Sequence, residues 1–350
     1  MVKLELAEAL KQTADRIYAY MLDDHTGNWG LDIGHWDWVP GVGVIAILSY
    51  YEKLEQPEVL DRLVRWTADN LHQAERQKVI NSMAPFAIFP ELYRRTQDSV
   101  LLETARRIAD WMLHEAPRTR EGAWEHTVTE NASFPEQVWA DTVFMAVLFM
   151  ARMGRLTGDM AYISEALRQL ELHLELLQEE ASGVLFHGWN CIAQNHMSAA
   201  RWTRANAWIA VGTPMILEEL AGTATIPEAI TTRYVRLMQG LIGYQRADGL
   251  WPTVLDREDF YPETSGSAGI ACGIRKAVRL NLLDPANLEA ADRALEGVLK
   301  TVLPTGEVTG VSGGTPVMPS IEAYNAIPQY PTLYGQGLVL MLLAEAIEVK

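Results

Sequence analysis

The sequence predicts an all-α protein, an (α/α)6 barrel in which six helical hairpins form a toroid. Apolar residues recur at spacings of three and four along most of the chain, which is the period of a helix packed on a core. Strand-like alternation is scarce, and no glycine-rich loop follows a plausible strand, so a dinucleotide-binding fold is disfavoured. Short glycine turns return at regular intervals, which indicates a repeated structural unit.

The helical pattern marks about twelve segments. In chain order they are RIYAYML, VGVIAILSYYEKL, VLDRLVRWTADNL, AIFPELYRRT, TARRIADWML, WADTVFMAVLFMARM, AYISEALRQLELHLELL, NAWIAVGTPMILEEL, TTRYVRLMQGLIGYQ, GSAGIACGIRKAVRL, AADRALEGVLKTVL and GLVLMLLAEAIEV. They pair into six hairpins, with inner helices around an axis and outer helices covering them. We expect residues 1–350 to form one domain, because no Pro/Ser-rich linker or change of composition divides the series.

Glycine turns follow four of these helices, spaced by roughly 60 residues, the length of one two-helix unit. The turns contain Gly122, Gly183, Gly249 and Gly306. Each glycine is followed by apolar or aromatic residues, as in REGAW and ADGLW. Periodicity does not decide whether the array closes, so an open helical solenoid is the competing arrangement.

The composition limits the partners and the compartment. A formal charge of −16 over 350 residues opposes nucleic acids and anionic membrane surfaces, and an anionic sugar needs a local cluster of positive or hydrogen-bonding groups. No apolar run approaches the roughly 20 residues that span a bilayer, and the first residues are amphipathic rather than signal-like. Cys191 and Cys272 show no CxxC spacing. These features predict a reduced, cytoplasmic protein.

Asp141 is the most informative position. In a helix, its neighbours at three, four and seven residues are Val138, Met145 and Leu148, so the carboxyl group lies on an apolar face. Burial there tends to raise the pKa of a carboxyl group, which suits a proton donor near neutral pH. The alternative is an early-helix Asp held by the helix dipole or by a loop amide.

Several longer motifs resemble one family. They are VWADTVFMAVLFMARMGRLTGD, LFHGWN, RWTRANAWIAVG, DGLWPTVLD, ETSGSAGIACGIRKAVRL and PTLYGQGLVLMLLAEA. In this order they resemble glycoside hydrolase family 105, the unsaturated rhamnogalacturonyl hydrolases, which are related to the unsaturated glucuronyl hydrolases of family 88. The resemblance implies an (α/α)6 barrel and places Asp141 at the position of the family's proton donor.

The resemblance also implies an unusual reaction. The substrate is a disaccharide or short pectin-type oligosaccharide that ends in a uronic acid with a C4=C5 double bond. Asp141 donates a proton to C4, and its carboxylate then deprotonates the water that adds to C5. The resulting hemiketal opens and expels the rest of the saccharide, so the usual relation between carboxylate separation and stereochemistry does not apply. Rhamnose is the family's usual next sugar, but the sequence does not identify it here.

Some relatives use a second acid on the preceding inner helix, where this chain has Asn81. An amide orients a hydroxyl group or a water rather than acting as an acid, although Asn81 or Ser82 as a simple helix cap is the other interpretation. In WTRANAW, Arg204 and Trp208 share a helix face, so we expect Arg204 to bind sugar oxygens or the carboxylate and Trp202 or Trp208 to stack on a ring. A structural Arg at a helix start is the alternative.

Loop residues complete the expected substrate contacts. Asp37 and Trp38 in GHWDWVPGV, His187 in LFHGWN and Tyr334 in PTLYGQG match family contacts, and His126 in GAWEHT is a weaker candidate. Each also has a structural interpretation: Asp37 as a helix cap, His126 as a solvated loop residue and Tyr334 as a core residue.

No cofactor or metal is expected, because the histidines show no ligand spacing. Two other functions are compatible with a helical array of this kind. A sugar 2-epimerase on the same barrel requires two histidines, one of them His187, that face each other across the cavity. A carbohydrate-binding helical-repeat protein requires an open groove and no deep pocket.

Overall fold

The computed structural model describes residues 2–130 and 134–348. The α-helices along these residues are α1 (Val2–Met21), α2 (Trp38–Leu54), α3 (Pro57–Asn70), α4 (Phe89–Thr96), α5 (Ser99–His114), α6 (Leu148–Thr157), α7 (Met160–Leu177), α8 (Thr203–Leu220), α9 (Glu228–Gly243), α10 (Thr264–Arg279), α11 (Leu288–Leu299), α12 (Ile321–Asn325) and α13 (Leu333–Ala346). A 3-10 helix (Asn81–Ile88) leads into α4, and a π-helical turn (Val143–Val147) leads into α6. Shorter 3-10 helices span Leu71–Gln73 and Pro285–Asn287.

Six inner segments form a closed ring. Helix α2 packs on the 3-10 helix before α4, which packs on the π-helical turn and α6; these pack on α8, α8 on α10, α10 on α13, and α13 returns to α2. The inner helices α2 and α13 are buried over most of their surface because neighbours and outer helices cover them. The predicted all-α, (α/α)6 architecture is therefore confirmed, and closure excludes the open solenoid.

Each of the four glycine turns follows an outer helix and packs on the next outer helix. Gly122, Gly183, Gly249 and Gly306 have φ of 86°, 80°, 86° and 94°, the left-handed region that glycine adopts without a steric penalty. At three of the four positions, a Cβ atom would meet a carbonyl oxygen of the next outer helix, at 2.7 Å for Gly183 and at 2.2 Å for Gly249 and Gly306. The turn after α11 thereby packs on α1, which closes the outer layer as well.

One hydrophobic cluster runs from Leu10 to Ile347 through both layers, and a small second cluster lies beside it. We propose on this basis that residues 1–350 form one domain, as the sequence predicts. Within the described residues, no helix combines the length and the apolar character that crossing a bilayer requires.

One prediction about local structure is wrong. Val138 lies not in a helix but in β1 (Gln137–Trp139), which pairs antiparallel with β2 (Gly188–Asn190). The helix begins at Asp141 and passes directly into the π-helical turn. A three-residue strand gives no periodic signal, and its apolar Val and Trp extend the helical pattern backwards. The strand pair sets the neighbours of Asp141, because Ala140 N–H donates to the carbonyl oxygen of His187 at 3.1 Å.

Candidate active site

A cavity of about 280 Å³ lies at one end of the barrel. Its lining consists of Trp29, Trp38, Asn81, His126, Val128, Glu130, Phe134, Trp139, Asp141, Trp202, Arg204, Gly314, Thr315 and Pro316. Trp38, Asn81 and Asp141 are each the first residue of an inner helical segment, and Trp202 directly precedes another. The inner helices therefore direct their N-termini, with their positive dipole ends, toward the cavity. This supplies the locally positive environment that an anionic sugar needs in a chain of net charge −16.

Asp141 lies in this cavity with 14% of its side chain exposed. Its Oδ2 atom is buried and makes no hydrogen bond to any described residue. Nε2 of His187 lies 3.3 Å from that oxygen but is not aligned for a hydrogen bond, and it too is left unpaired. A buried carboxylate without full hydrogen bonding is costly, so the site is built to bond a ligand at this point.

The pKa of Asp141 differs from the expectation. Burial acts to raise it, but contact with His187 and the charges of His187, His126 and Arg204 outweigh burial, so the pKa lies below its ordinary value of 3.8. The predicted rise of the Asp141 pKa is wrong, because the sequence pattern shows apolar neighbours along the helix but not the polar groups from other segments. Asp141 is therefore ionised at neutral pH before a ligand binds.

Two histidines flank Asp141, and both are buried. The ring of His126 stacks on Trp139 at 4.2 Å between centroids, and its Nδ1 lies 3.2 Å from Oγ1 of Thr142. Burial lowers the pKa of His126 to about 4, so its ring is neutral at pH 7. Burial also lowers the pKa of His187, against the opposing effect of Asp141. The interpretation of His126 as a solvated loop residue is excluded, because it is 2% exposed.

Arg204 lines the cavity but is held mainly by protein groups. Its Nη1 donates to the carbonyl oxygen of Ser312 at 2.9 Å, and its Nη2 donates to that of Gly313 at 2.8 Å. The guanidinium lies between the rings of Trp202 and Tyr334, 4.4 and 4.5 Å from their centroids. It also lies 3.6 Å from the buried carboxylate of Glu263. Arg204 therefore anchors the 312–315 loop at the cavity wall, and its binding of sugar oxygens or the carboxylate stays a prediction.

Asn81 and Trp202 each present an unpaired polar atom. Oδ1 of Asn81 and Nε1 of Trp202 are buried and have no hydrogen-bond partner in the described parts of the chain. Asn81 does not cap its helix through its side chain, so the capping interpretation is wrong. One acceptor and one donor thus line the same cavity as Asp141, which fits the hydroxyl groups of a sugar.

Four predicted contact residues do not line the cavity. Asp37 caps α2 through Trp38 N–H and accepts a bond from Oγ1 of Thr129 at 2.6 Å, so both of its oxygens are used. His187 lies behind the lining, where it contacts Asp141, Trp139 and Trp202.

The other two pack in the core. Trp208 is fully buried against Phe144, with 5.0 Å between ring centroids, because the helix turn from Arg204 carries it below the cavity. Tyr334 is also fully buried; its ring stacks on Trp38 at 5.2 Å, and its hydroxyl donates to the carbonyl oxygen of Ser312. A direct sugar contact by Trp208 or Tyr334 is therefore corrected to a supporting role.

The cavity also contains residues that the sequence did not indicate. Trp29, Phe134 and the 314–316 loop come from irregular segments and Trp139 from the three-residue strand β1, where no periodicity marks an inward face. Tyr324 is a further neighbour, since its hydroxyl lies 2.8 Å from Nδ1 of His187. The glycine pair in GVSGGTP was the available signal for the loop, because a Cβ at Gly314 would lie 2.6 Å from the Trp29 ring.

One group of side chains has the composition of a cation site. A carboxylate oxygen from each of Glu121 and Glu136 and the thiol of Cys191 lie within 4.8 Å of one another. None of the three lines the cavity. Burial raises the pKa of the Cys191 thiol to about 12, so the thiol is protonated in the absence of a metal.

A closed helical barrel whose cavity combines one buried acid, one exposed acid, indole rings and unpaired polar atoms has the composition of a sugar-binding enzyme site, as a glycosidase requires. The comparisons with known proteins agree. The chain belongs to Glycosyl Hydrolase Family 88, which it matches over residues 13–350.

The curated relatives include the unsaturated rhamnogalacturonyl hydrolase YesR of Bacillus subtilis strain 168, 36% identical over 320 residues that make up 90% of each chain. Solved structures of possible members of the GH105 family come from Klebsiella pneumoniae (30% identity, TM-score 0.91, 97% and 93% coverage of this chain and that one) and Salmonella enterica (29%, 0.92, 97% and 94%). The predicted family resemblance is confirmed.

Proposed function

We propose that the enzyme releases a 4,5-unsaturated uronic acid from the non-reducing end of a short, pectin-derived oligosaccharide, with Asp141 as acid and then base. The observation that carries this proposal is the buried, unpaired Oδ2 of Asp141 in the cavity. YesR, which is similar over most of its length, is an unsaturated rhamnogalacturonyl hydrolase. The proposal therefore takes the rhamnogalacturonan type of chain as the first substrate to test.

The cavity offers one desolvated carboxyl group. Glu130, the other acid in the lining, is exposed, and Asn81, which the family resemblance matches to a second acid, is an amide. A glycosidase that attacks the anomeric carbon needs two carboxyl groups on opposite sides of the bond. Hydration of the double bond needs one, because the same group gives a proton to C4 and takes one from the water that adds to C5.

Substrate binding raises the pKa of Asp141, so that the carboxylate takes up a proton from solvent. The carboxylate of the uronic acid brings a negative charge into a cavity that already holds ionised Asp141, and like charges raise a carboxyl pKa. At the same time the sugar displaces water, which further disfavours the charged form. We infer that Asp141 takes up a proton as the substrate binds and is then the acid that protonates C4.

The sugar that follows the unsaturated uronate is expected at the cavity mouth. Trp29 lines the cavity but is 41% exposed, and its ring packs edge-on against Trp38 and against exposed Tyr330. An exposed indole held in place by other rings is a suitable surface for stacking a sugar face. Trp29 is thus our candidate contact for the residue that follows the unsaturated uronate.

The reaction type is tested with isotopes. In ²H₂O, hydration places one deuterium on C4 of the released product, and in H₂¹⁸O it places the label on C5 while the C1 oxygen remains the former ring oxygen. Rapid quenching and fragment mass spectrometry read both positions. A label on C1 with no deuterium on C4 would mean direct attack at the anomeric carbon and would overturn the proposal.

Two other functions have less support. A 2-epimerase pair requires His126 and His187 to face a substrate from opposite sides, but His187 contacts Asp141 and does not line the cavity. A binding module with an open groove does not fit a closed ring of helices.

A further inference from the structure

We propose that Tyr324 is a positioning residue that fixes the tautomer of His187, so that the Nε2–H group of His187 faces the carboxylate of Asp141. The inference deepens the proposed function, on which its catalytic consequence rests. Tyr324 lies in the five-residue helix α12, far along the chain from both partners, and is fully buried.

The three groups form a chain. The Tyr324 hydroxyl lies 2.8 Å from Nδ1 of His187, and Nε2 on the other side of the ring lies 3.3 Å from Oδ2 of Asp141. The backbone N–H of Met318 donates to the same hydroxyl oxygen at 3.1 Å. One side of the imidazole therefore meets a hydroxyl group, and the other meets the acid.

Proton counting decides which nitrogen carries the hydrogen. A tyrosine hydroxyl has one hydrogen to donate, and a neutral imidazole has one donor and one acceptor nitrogen. Oγ of Ser198 also lies beside the Tyr324 hydroxyl, and the hydroxyl oxygen already accepts a hydrogen bond from the backbone N–H of Met318. If Nδ1 carried the hydrogen, the lone pair of Nε2 would face the carboxylate of Asp141 at 3.3 Å, and the Tyr324 oxygen would have to accept from both Nδ1 and Met318. The arrangement that satisfies both groups has O–H of Tyr324 donating to Nδ1 and the hydrogen of His187 on Nε2.

The ring cannot avoid this choice by turning. Trp202 packs on one side of His187 at 4.4 Å between centroids and Trp139 at 5.3 Å. The other titratable or charged groups around the pair are His126, which is neutral at pH 7, and Arg204, whose charge faces Glu263. Within the described residues, Tyr324 is the group that contacts the far nitrogen of His187.

The tautomer matters in the reaction. After Asp141 has given its proton to C4, its carboxylate is negative and must stay oriented to deprotonate the water. A fixed N–H dipole at 3.3 Å stabilises that charge, whereas a lone pair in the same place repels it. The hydrogen bond that one ring nitrogen makes decides the state of the other, so the group at Nδ1 influences what Nε2 presents to Asp141.

The test compares Tyr324→Phe with Tyr234→Phe. Tyr234 is an equally buried tyrosine in α9 whose hydroxyl donates to the carbonyl oxygen of Ala210 at 2.8 Å, away from the cavity. Both variants remove one buried hydroxyl group that has two hydrogen-bond partners, and both keep the ring. Two readouts are needed: ¹⁵N NMR of the histidine rings, assigned with His187→Gln, and the kinetics of double-bond loss across pH.

In wild type we expect the ¹⁵N shifts of His187 to report the Nε2–H form. In Tyr324→Phe we expect a mixture of tautomers, a kcat about tenfold lower with little change in KM, and a shifted pH profile. Tyr234→Phe should leave the His187 signals and the pH profile unchanged. An Nδ1–H form in wild type, or the same tautomer and pH profile in both variants, would overturn the inference.

The NMR measurement on wild type needs neither activity nor a folded Tyr324→Phe variant. Failure of the proposed function, with no substrate consumed, is thereby distinguished from failure of this inference.

Discussion

Replacing Arg204 by methionine should destabilise the protein through the loss of a buried charge, more than through the loss of packing. The guanidinium is 1% exposed, donates to Ser312 and Gly313, and faces the carboxylate of Glu263 at 3.6 Å. Methionine keeps much of the volume between the two aromatic rings. What it removes is the anchor of the 312–315 loop and the partner of a fully buried carboxylate.

The cost can be estimated from these contacts. Removing one partner of a buried ion pair costs about 3–5 kcal/mol. The lower end applies here, because Glu263 keeps bonds from Ser265 Oγ at 2.7 Å and from Ser312 N–H at 3.0 Å. The unfolding entropy is about 2.1 cal/mol/K per residue, and the chain has 350 residues. A loss of about 3 kcal/mol in the free energy of unfolding therefore lowers Tm by about 4 °C.

The assay is thermal unfolding with a matched arginine. Arg201 pairs with Glu179 and Asp256 near the surface, with 20% of its side chain exposed, so Arg201→Met should cost about 1 kcal/mol or less. Because Gly314 to Pro316 line the cavity, Arg204→Met should also raise KM. If Arg204→Met unfolds within 1 °C or so of Arg201→Met, the role given to the buried pair is wrong.

Three further predictions concern the turns, the pH profile and the cavity mouth. Gly249 has a φ of 86°, and Gly249→Ala places a methyl group 2.2 Å from the carbonyl oxygen of Arg293. This variant should lower the free energy of unfolding, measured by chemical denaturation, by about 3 kcal/mol. Gly222→Ala, with a φ of 75° and nothing within 4 Å, should cost only about 1 kcal/mol; equal losses would contradict the packing argument. The pKa of Asp141 lies below 3.8 in the free enzyme, and the reaction needs the protonated acid, so kcat/KM should fall about tenfold per pH unit as pH rises. The decline of kcat should start at higher pH, because kcat reports the pKa in the enzyme–substrate complex. A kcat/KM that stays level into the alkaline range would refute this. Trp29→Ala should raise KM for the disaccharide about tenfold and leave kcat within about twofold, as loss of uniform binding does, and an unchanged KM would exclude the stacking role.

The barrel was predictable because its signals are long and repeated. Inner and outer helices of 14 to 18 residues, such as α2, α3 and α7, carry several periods of the apolar pattern. The turn at Gly249 was predictable for a different reason, since only glycine fits its φ and its approach to Arg293. Ring closure was not visible in either signal, because it depends on contacts between α13 and α2, at opposite ends of the chain.

The site was predictable only in part, and the errors have physical causes. Resemblance led to Asp141, but the strand pair that orients it has three residues per strand, too short for a period. Helical spacing correctly placed Trp208 on the same face of α8 as Arg204. Trp208 lies one turn farther along that helix, however, and its side chain is therefore buried below the cavity. Tyr324 was missed because α12 has five residues and its partner His187 is distant in sequence.

The central claim is that one carboxyl group, Asp141, performs the proton transfers. Asp141→Asn keeps the shape and removes the acid, and the loss of the ultraviolet absorbance of the C4=C5 double bond in an unsaturated rhamnogalacturonan disaccharide reports the reaction. Glu130→Gln removes the other, exposed carboxyl group of the lining and is the matched control. We predict that Asp141→Asn, folded like wild type by circular dichroism, loses about 10²–10⁴-fold in kcat, while Glu130→Gln loses far less. If Asp141→Asn consumes the double bond at more than about a tenth of the wild-type rate, another group supplies the proton and the account is wrong.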